Sequence, residues 1–165
     1  MRKTALVILF ALISTTAFSQ GEKLKATYLY QFAKILQWPN LGNAFTIGVW
    51  GDSGVSPILN SIASSKQIGA RSLVIKEITA TSDLSKCQIV FLSAKSAKEI
   101  LVAQKELQGK HVLLVTDRPG MIKAGAGINF LMANGKVLYE LSKANIANQG
   151  LVSVQVLEKL AHKVY

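Results

Sequence analysis

The chain is poor in the residues that most often carry catalysis or cross-linking. Among its 165 residues there is one cysteine, Cys87, and there are two histidines, His111 and His162. A single cysteine excludes an internal disulfide, so apolar burial has to hold the fold. Two separate histidines and one thiol lack the ligand spacing of a metal site. Cys87 stands directly before the apolar run QIVFL and is expected to be a buried small hydrophobe. Serines are frequent, yet none sits in a Gly-x-Ser-x-Gly elbow. Gly125-Ala126-Gly127 precedes a strand-like run instead of a helix, so it fits neither a dinucleotide fingerprint nor a phosphate loop and reads as turn glycine. Acidic residues are scarce as well, 9 against 19 basic ones, for a formal net charge of +10. The lysines are scattered and form no dense basic tract, which suits a solvated surface better than a nucleic-acid footprint. No nucleic acid, metal or cofactor is therefore expected.

Long apolar runs are missing too, except at the start. Arg2 and Lys3 precede an unbroken apolar stretch, Ala5 to Ile13, and Ala17-Phe18-Ser19 then offers small residues where a signal peptidase reads. The run falls short of the about 20 residues that span a bilayer. Residues 1–19 are thus expected to be a secretory signal peptide cleaved near Ser19 and Gln20. No cysteine follows that point, so a lipoprotein-type anchor is not expected. Residues 20–165 are then one exported domain, long enough to build a core without staples. Export also argues against nucleic acid as a target.

What is present is a regular alternation of patterns. From Glu22 to Trp38 an apolar stripe of Leu29, Phe32, Ala33 and Leu36, widened by Tyr28 and Ile35, predicts a helix that Pro39 stops. Phe45–Trp50 reads as a strand. Ser56-Pro57 then reads as the cap and first position of a helix running to about Ser65. Arg71–Ile78, Gln88–Leu92 and His111–Val115 follow as strands, with a short turn or helical piece at Asp83–Lys86. A helix from Lys95 to Leu107, capped by Ser93, lies between the last two strands. Ile128–Met132 and Lys136–Leu141 flank Asn134-Gly135, a strong hairpin signal. A short helix at 143–149 and a final amphipathic helix after Gly150 close the chain. Buried runs such as QIVFL and HVLLV suit a parallel sheet covered on both faces. The expected fold is α/β: a three-layer, Rossmann-like sheet flanked by helices, mostly parallel, with a C-terminal hairpin.

In open α/β sheets ligands gather at the carboxyl ends of the strands. Three such ends carry polar groups, which makes Asp52 and Ser53, Ser93, and Asp117 with Arg118 the candidate ligand-binding residues, although ordinary caps and turns would use the same residue types. The first helix is the other candidate surface. Tyr28, Tyr30, Phe32 and Trp38 are more aromatic area than one face of a helix needs, and beyond filling core they would suit a partner or homodimer contact. No nucleophile, base and orienting group can be read as a set, so an enzyme is not expected.

The segments LKATYLYQFAKILQWP, FTIGVWGDS, CQIVFLS, VLLVTDRPG, GINFLMANGKVLYEL and GLVSVQVLEKL together resemble the YfiR family of bacterial periplasmic proteins, over about Leu24 to Leu160. The most specific parts are the aromatic helix ending in Trp38-Pro39 and the hairpin around Ile128-Asn129-Phe130. The resemblance implies a periplasmic α/β domain, often dimeric, that binds the periplasmic portion of a membrane signalling protein. Its partner would be a diguanylate cyclase, whose release raises cyclic di-GMP and favours biofilm, or a sensor kinase. Some relatives carry paired cysteines. With Cys87 alone, redox control through an internal disulfide does not carry over.

Overall fold

Short apolar runs separated by turn residues become strands here, and the central ones, Ile89–Leu92 and Leu113–Thr116, bury both of their faces. The computed structural model describes residues 20–39, 41–51, 53–93 and 97–165. The expected signal peptide and Asp52 lie outside the described residues. A first helix, α1, covers 20–35. It is followed by β1 (Ala44–Trp50), α2 (Val55–Ala63), β2 (Gln67–Ile68) and β3 (Arg71–Glu77). A 3-10 turn at Thr81–Lys86 leads to β4 (Ile89–Leu92), α3 (Ala97–Leu107) and β5 (Leu113–Thr116). The chain ends with β6 (Ile128–Ala133), β7 (Lys136–Leu141), α4 (Lys143–Asn148), α5 (Gln155–Leu160) and β8 (Lys163–Val164).

The strands form one sheet in the order β2-β3-β1-β4-β5-β6-β7-β8. The five strands from β3 to β6 run parallel, whereas β2 and β7 are antiparallel to their inner neighbours and β8 runs parallel to β7. The fold is thus a three-layer α/β sandwich around a mixed, mostly parallel sheet. One face carries Phe45, Ile47, Val49, Phe91, Val115, Phe130 and Tyr139 and is covered by α1 and α2. The other carries Val90, Leu92 and Leu114 beneath Ile100, Ala103 and Leu107 of α3. Asn134 and Gly135 turn the hairpin with φ of 51° and 73°, the paired left-handed conformation of a two-residue turn, and glycine meets that demand at no steric cost.

Three local expectations are corrected. α1 ends at residue 35 instead of reaching Trp38, because the indole Nε1 folds back to donate to the carbonyl of Ala33 (3.0 Å), one of the carbonyls left over at the helix end. Ser56 does not cap α2. It is buried inside the helix, and the Oγ of Ser53 accepts instead from the N–H of Val55 at 3.3 Å. Two-residue β2 and β8 were not expected, since neither has a strand pattern of its own: β2 forms by turning back on β3 at once, and β8 by pairing with the distant β7. Gly125 and Gly127 are buried: a methyl group at Gly125 would lie 2.5 Å from Cγ of Gln104, and one at Gly127 would lie 3.0 Å from Oε1 of Gln149. Gly125 is a turn glycine as expected, with φ of 111°, and close packing adds to that demand there and is the demand at Gly127.

Candidate functional site

The strand order creates one special place. The chain leaves β1 through α2 to β3 on one side, then crosses to β4 on the other, so connections diverge at the carboxyl ends of β1 and β4. There Trp50 lies beside Leu92, and the N–H of Ser93 donates to the carbonyl of Trp50 at 3.1 Å. β5 follows in register, with Thr116 beside Leu92. The residues just past the two strand ends, Ser93 and Asp117, therefore meet: Ser93 Oγ donates to Asp117 Oδ2 at 3.3 Å.

A third group enters from elsewhere in the chain. α1 carries Lys25 to the same edge, and its Nζ lies 2.9 Å from Asp117 Oδ2 and 2.9 Å from Glu22 Oε1. The side chains of Lys25 and Asp117 are only 14% and 10% exposed. Burial is the largest single influence on Lys25 and disfavours its ammonium. The hydrogen bonds and charges of Glu22 and Asp117 together outweigh it, so its pKa stands above the ordinary lysine value. Glu22 itself reaches the start of α2, with its Cγ 3.3 Å from where a methyl at Gly54 would sit. The crevice end of the sheet is thus closed by a helix whose own ions pair inside it.

A second polar layer runs along the same edge. Asn129 is fully buried, and its Oδ1 accepts from Thr116 Oγ1 (2.7 Å) and from the N–H of Arg118 (3.2 Å). Its Nδ2 donates to Glu140 Oε2 at 3.5 Å, and Tyr165 donates to Glu140 Oε1 at 2.9 Å. Of the sequence candidates, Ser93 and Asp117 are brought together. Ser53 serves the start of α2. The backbone of Arg118 is tied to Asn129 while its side chain is exposed. Lys25, Glu22 and Asn129 were not among the candidates. A lone amide inside the apolar run INFLM was the only signal for Asn129, and nothing local marked Lys25.

The aromatic surface is largely interior. Phe32 is 1% exposed and stacks on Phe130 with ring centres 6.0 Å apart, so a contact-surface role for Phe32 is corrected to a core role. Tyr28, half-buried, packs on Phe130 and Tyr139. Tyr30 reaches the carbonyl of Gln67 on the other flank. Trp38 meets Phe45 edge to face. α1 is wedged between neighbours on two sides, which is why its aromatics exceed what one face requires.

The remaining reactive groups do not converge with this edge. Cys87 is buried and its thiol is pushed up to about 11, chiefly by that burial. His111 Nδ1 lies 2.6 Å from the carbonyl of Gly150. No group of three or more metal-ligating side chains occurs among the described residues, and no helix among them is long and apolar enough to cross a membrane.

Fold and edge define the class: an α/β domain with a doubly wound, mostly parallel sheet, whose carboxyl-end crevice is closed by its first helix. Among solved structures, a conserved domain protein from Vibrio cholerae O1 biovar El Tor is similar, with a TM-score of 0.57 at 10% identity over 85% of this chain and 60% of that one. The ABC domain from Streptococcus pneumonia in complex with L-Trp is similar with a TM-score of 0.54, at 10% identity over 82% of this chain and 58% of that one. The chain thus spans about three fifths of either protein's length, and at such identity the likeness is one of fold. No curated protein matches the chain. The profile of the YfiR/HmsC-like family matches residues 22–162, and the protein belongs to that family. Membership points to regulation rather than catalysis.

Proposed function

We propose that the protein is an exported, periplasmic regulator that binds the periplasmic part of a membrane signalling protein of the diguanylate cyclase type and sets its activity. The observation that carries this reading is the family match, which runs from the first turn of α1 to the residue before β8. The geometry is in keeping with it. Regulation by docking asks for no set of nucleophile, base and orienting group, and Ser93, Asp117, Lys25 and Glu22 at the sheet's carboxyl edge serve to pair with one another. Regulation of this kind needs only different affinities for two states of the partner. The test is to delete the gene and measure cellular cyclic di-GMP, then restore it with the full chain. A rise on deletion that the restored gene reverses is expected. An unchanged level, with the protein made and exported in the parent strain, would sink the reading.

A second reading is favoured by the meeting of Ser93 and Asp117 at the switch point, where open α/β sheets bind ligands. A small molecule taken there would have to displace Lys25 from Asp117. Asp117→Ala should weaken such a ligand in thermal-shift titration, and equal affinity in the folded variant would remove Asp117 from the site.

A further inference from the structure

Of the ten large hydrophobic side chains exposed among the described residues, five fall between 152 and 165, which singles out that stretch of the surface. α5 supplies two of them. Its Leu157 turns into the core, and Ala161 just beyond it packs against that core. Val156 and Leu160, four residues apart and so on one flank of the helix, are 48% and 66% exposed. Glu158 lies on the opposite flank, where Lys143 holds it at 3.1 Å. Only Ala161 and His162 separate α5 from β8, so the helix and this edge strand of the sheet form one rim. Val164 lies beside Leu141 in register, and Leu141 belongs to the same core as Leu157. Val164 therefore stands, exposed, on the α5 side of the sheet. Lys163 and Tyr165 alternate to the other side, with the ammonium 4.4 Å from the centre of the phenol ring.

The charge on this rim has one sign. Lys159 and Lys163 are exposed and make no ion pair among the described residues. The acids beside them are engaged: Glu158 by Lys143, and Glu140 by Tyr165 and Asn129. A second copy of the chain would set these lysines against their own kind across a two-fold axis. A protein contact is anchored by Trp, Tyr and Arg, whereas valine, leucine and lysine are under-represented there. Aliphatic side chains beside lysines and a tyrosine suit a lipid–water boundary instead. The aliphatic groups enter the acyl region, the phenol sits at headgroup level, and the lysine stems let the ammonium groups reach phosphate.

We propose that the rim formed by α5 and β8 is a membrane-docking surface for anionic phospholipid. Val156, Leu160 and Val164 enter the bilayer boundary, and Lys159 and Lys163 meet the phosphates. The contact needs no signalling partner, so it stands or falls apart from the regulatory reading.

The test is sedimentation of the protein, purified from its own cells, with vesicles. One set is equal parts phosphatidylglycerol and phosphatidylcholine, and the other is phosphatidylcholine alone. The protein should sediment with the anionic vesicles, less so as salt is added, and roughly tenfold less with the neutral ones. Lys159→Glu should weaken the anionic binding roughly tenfold, and Leu160→Ser severalfold. Lys159→Arg keeps the charge, and Leu101→Ser alters an exposed leucine of α3 over the opposite sheet face. Both should bind as the wild type does. Each variant changes an exposed side chain, and circular dichroism checks its fold. Anionic binding that Lys159→Glu and Leu160→Ser leave unchanged would overturn the proposal, as would equal binding to the neutral vesicles. Absent vesicle binding would overturn it too. In that case a dimer in analytical ultracentrifugation that Leu160→Ser disperses would give the rim to a second copy. A photo-crosslinker at position 160 that captures a membrane protein in cells, again without vesicle binding, would give it to a protein.

Discussion

Replacing Lys25 by methionine keeps an unbranched side chain of nearly the same length and removes its charge, leaving Glu22 and Asp117 without the cation between them at the end of the sheet. Exposed ion pairs contribute about 0–1 kcal/mol, and breaking a fully buried pair costs about 3–5 kcal/mol. With both side chains of the Lys25–Asp117 pair at least 86% buried, the cost should sit toward the buried end, about 2–3 kcal/mol. For a chain of this size that corresponds to a fall in Tm of roughly 5–10 °C. Urea unfolding of wild type, Lys25→Met, Asp117→Asn and the double variant measures both the cost and the coupling. The double variant should lose less than the sum of the single ones. The pH dependence supplies a second arm. Lys25 is raised above its ordinary 10.5, so its contribution is complete below that value and is lost as pH climbs through the raised one. Tyr139, which burial pushes up to about 12, falls in the same direction in both proteins and cancels in their difference. The gap between wild type and Lys25→Met should therefore narrow above pH 10.5. A Lys25→Met protein within about 0.5 kcal/mol of wild type at neutral pH would refute the claim that this pair closes the crevice.

Gly48 sits where a methyl group would lie 2.8 Å from Cys87 Sγ and 3.0 Å from Ile78, so Gly48→Ala should cost about 1–3 kcal/mol in urea unfolding. Adding Cys87→Ala should recover part of that loss. At pH 8 the thiol of Cys87, with its pKa at about 11, should react with Ellman's reagent roughly a hundredfold more slowly in the folded protein than in urea. Tyr139→Phe deletes the 2.7 Å bond to the carbonyl of Leu157 and should cost about 1–2 kcal/mol by thermal unfolding, with the alkaline loss of stability reduced.

The parts of the fold that were legible are those whose signal is local. Runs such as IVFL and LLVT are apolar at every position because both sheet faces are covered, and Asn134-Gly135 specifies its turn by itself. β8 was illegible because Lys163 and Val164 have no strand pattern of their own; they are extended only because Glu140 and Leu141 lie beside them. Ser93 and Asp117 were legible as a pair because parallel neighbours in register bring their successors together at one edge. Lys25 was not, since its meeting with Asp117 spans 92 residues and depends on which way α1 lies across the sheet. The aromatic excess of α1 was visible, but its meaning needed the neighbours. Tyr30 serves the β2 flank while Tyr28 and Phe32 serve the hairpin, so one helix is buried on more than the single stripe that periodicity assumes.

The strands sort polar from apolar side chains along their length. The middle of the sheet is apolar on both faces, so polar side chains concentrate at the strand ends. At the carboxyl end they meet one another: Lys25 between Glu22 and Asp117, Thr116 and Arg118 on Asn129, Asn129 and Tyr165 on Glu140, with Glu22 Oε2 buried and unpartnered among them. Moving any one of them means giving up bonds that close this end of the fold. The hairpin is held against α1 by Phe130 and Tyr139 on Phe32, so the helix that brings Lys25 to Asp117 is fixed by apolar packing as well as by its ion pair.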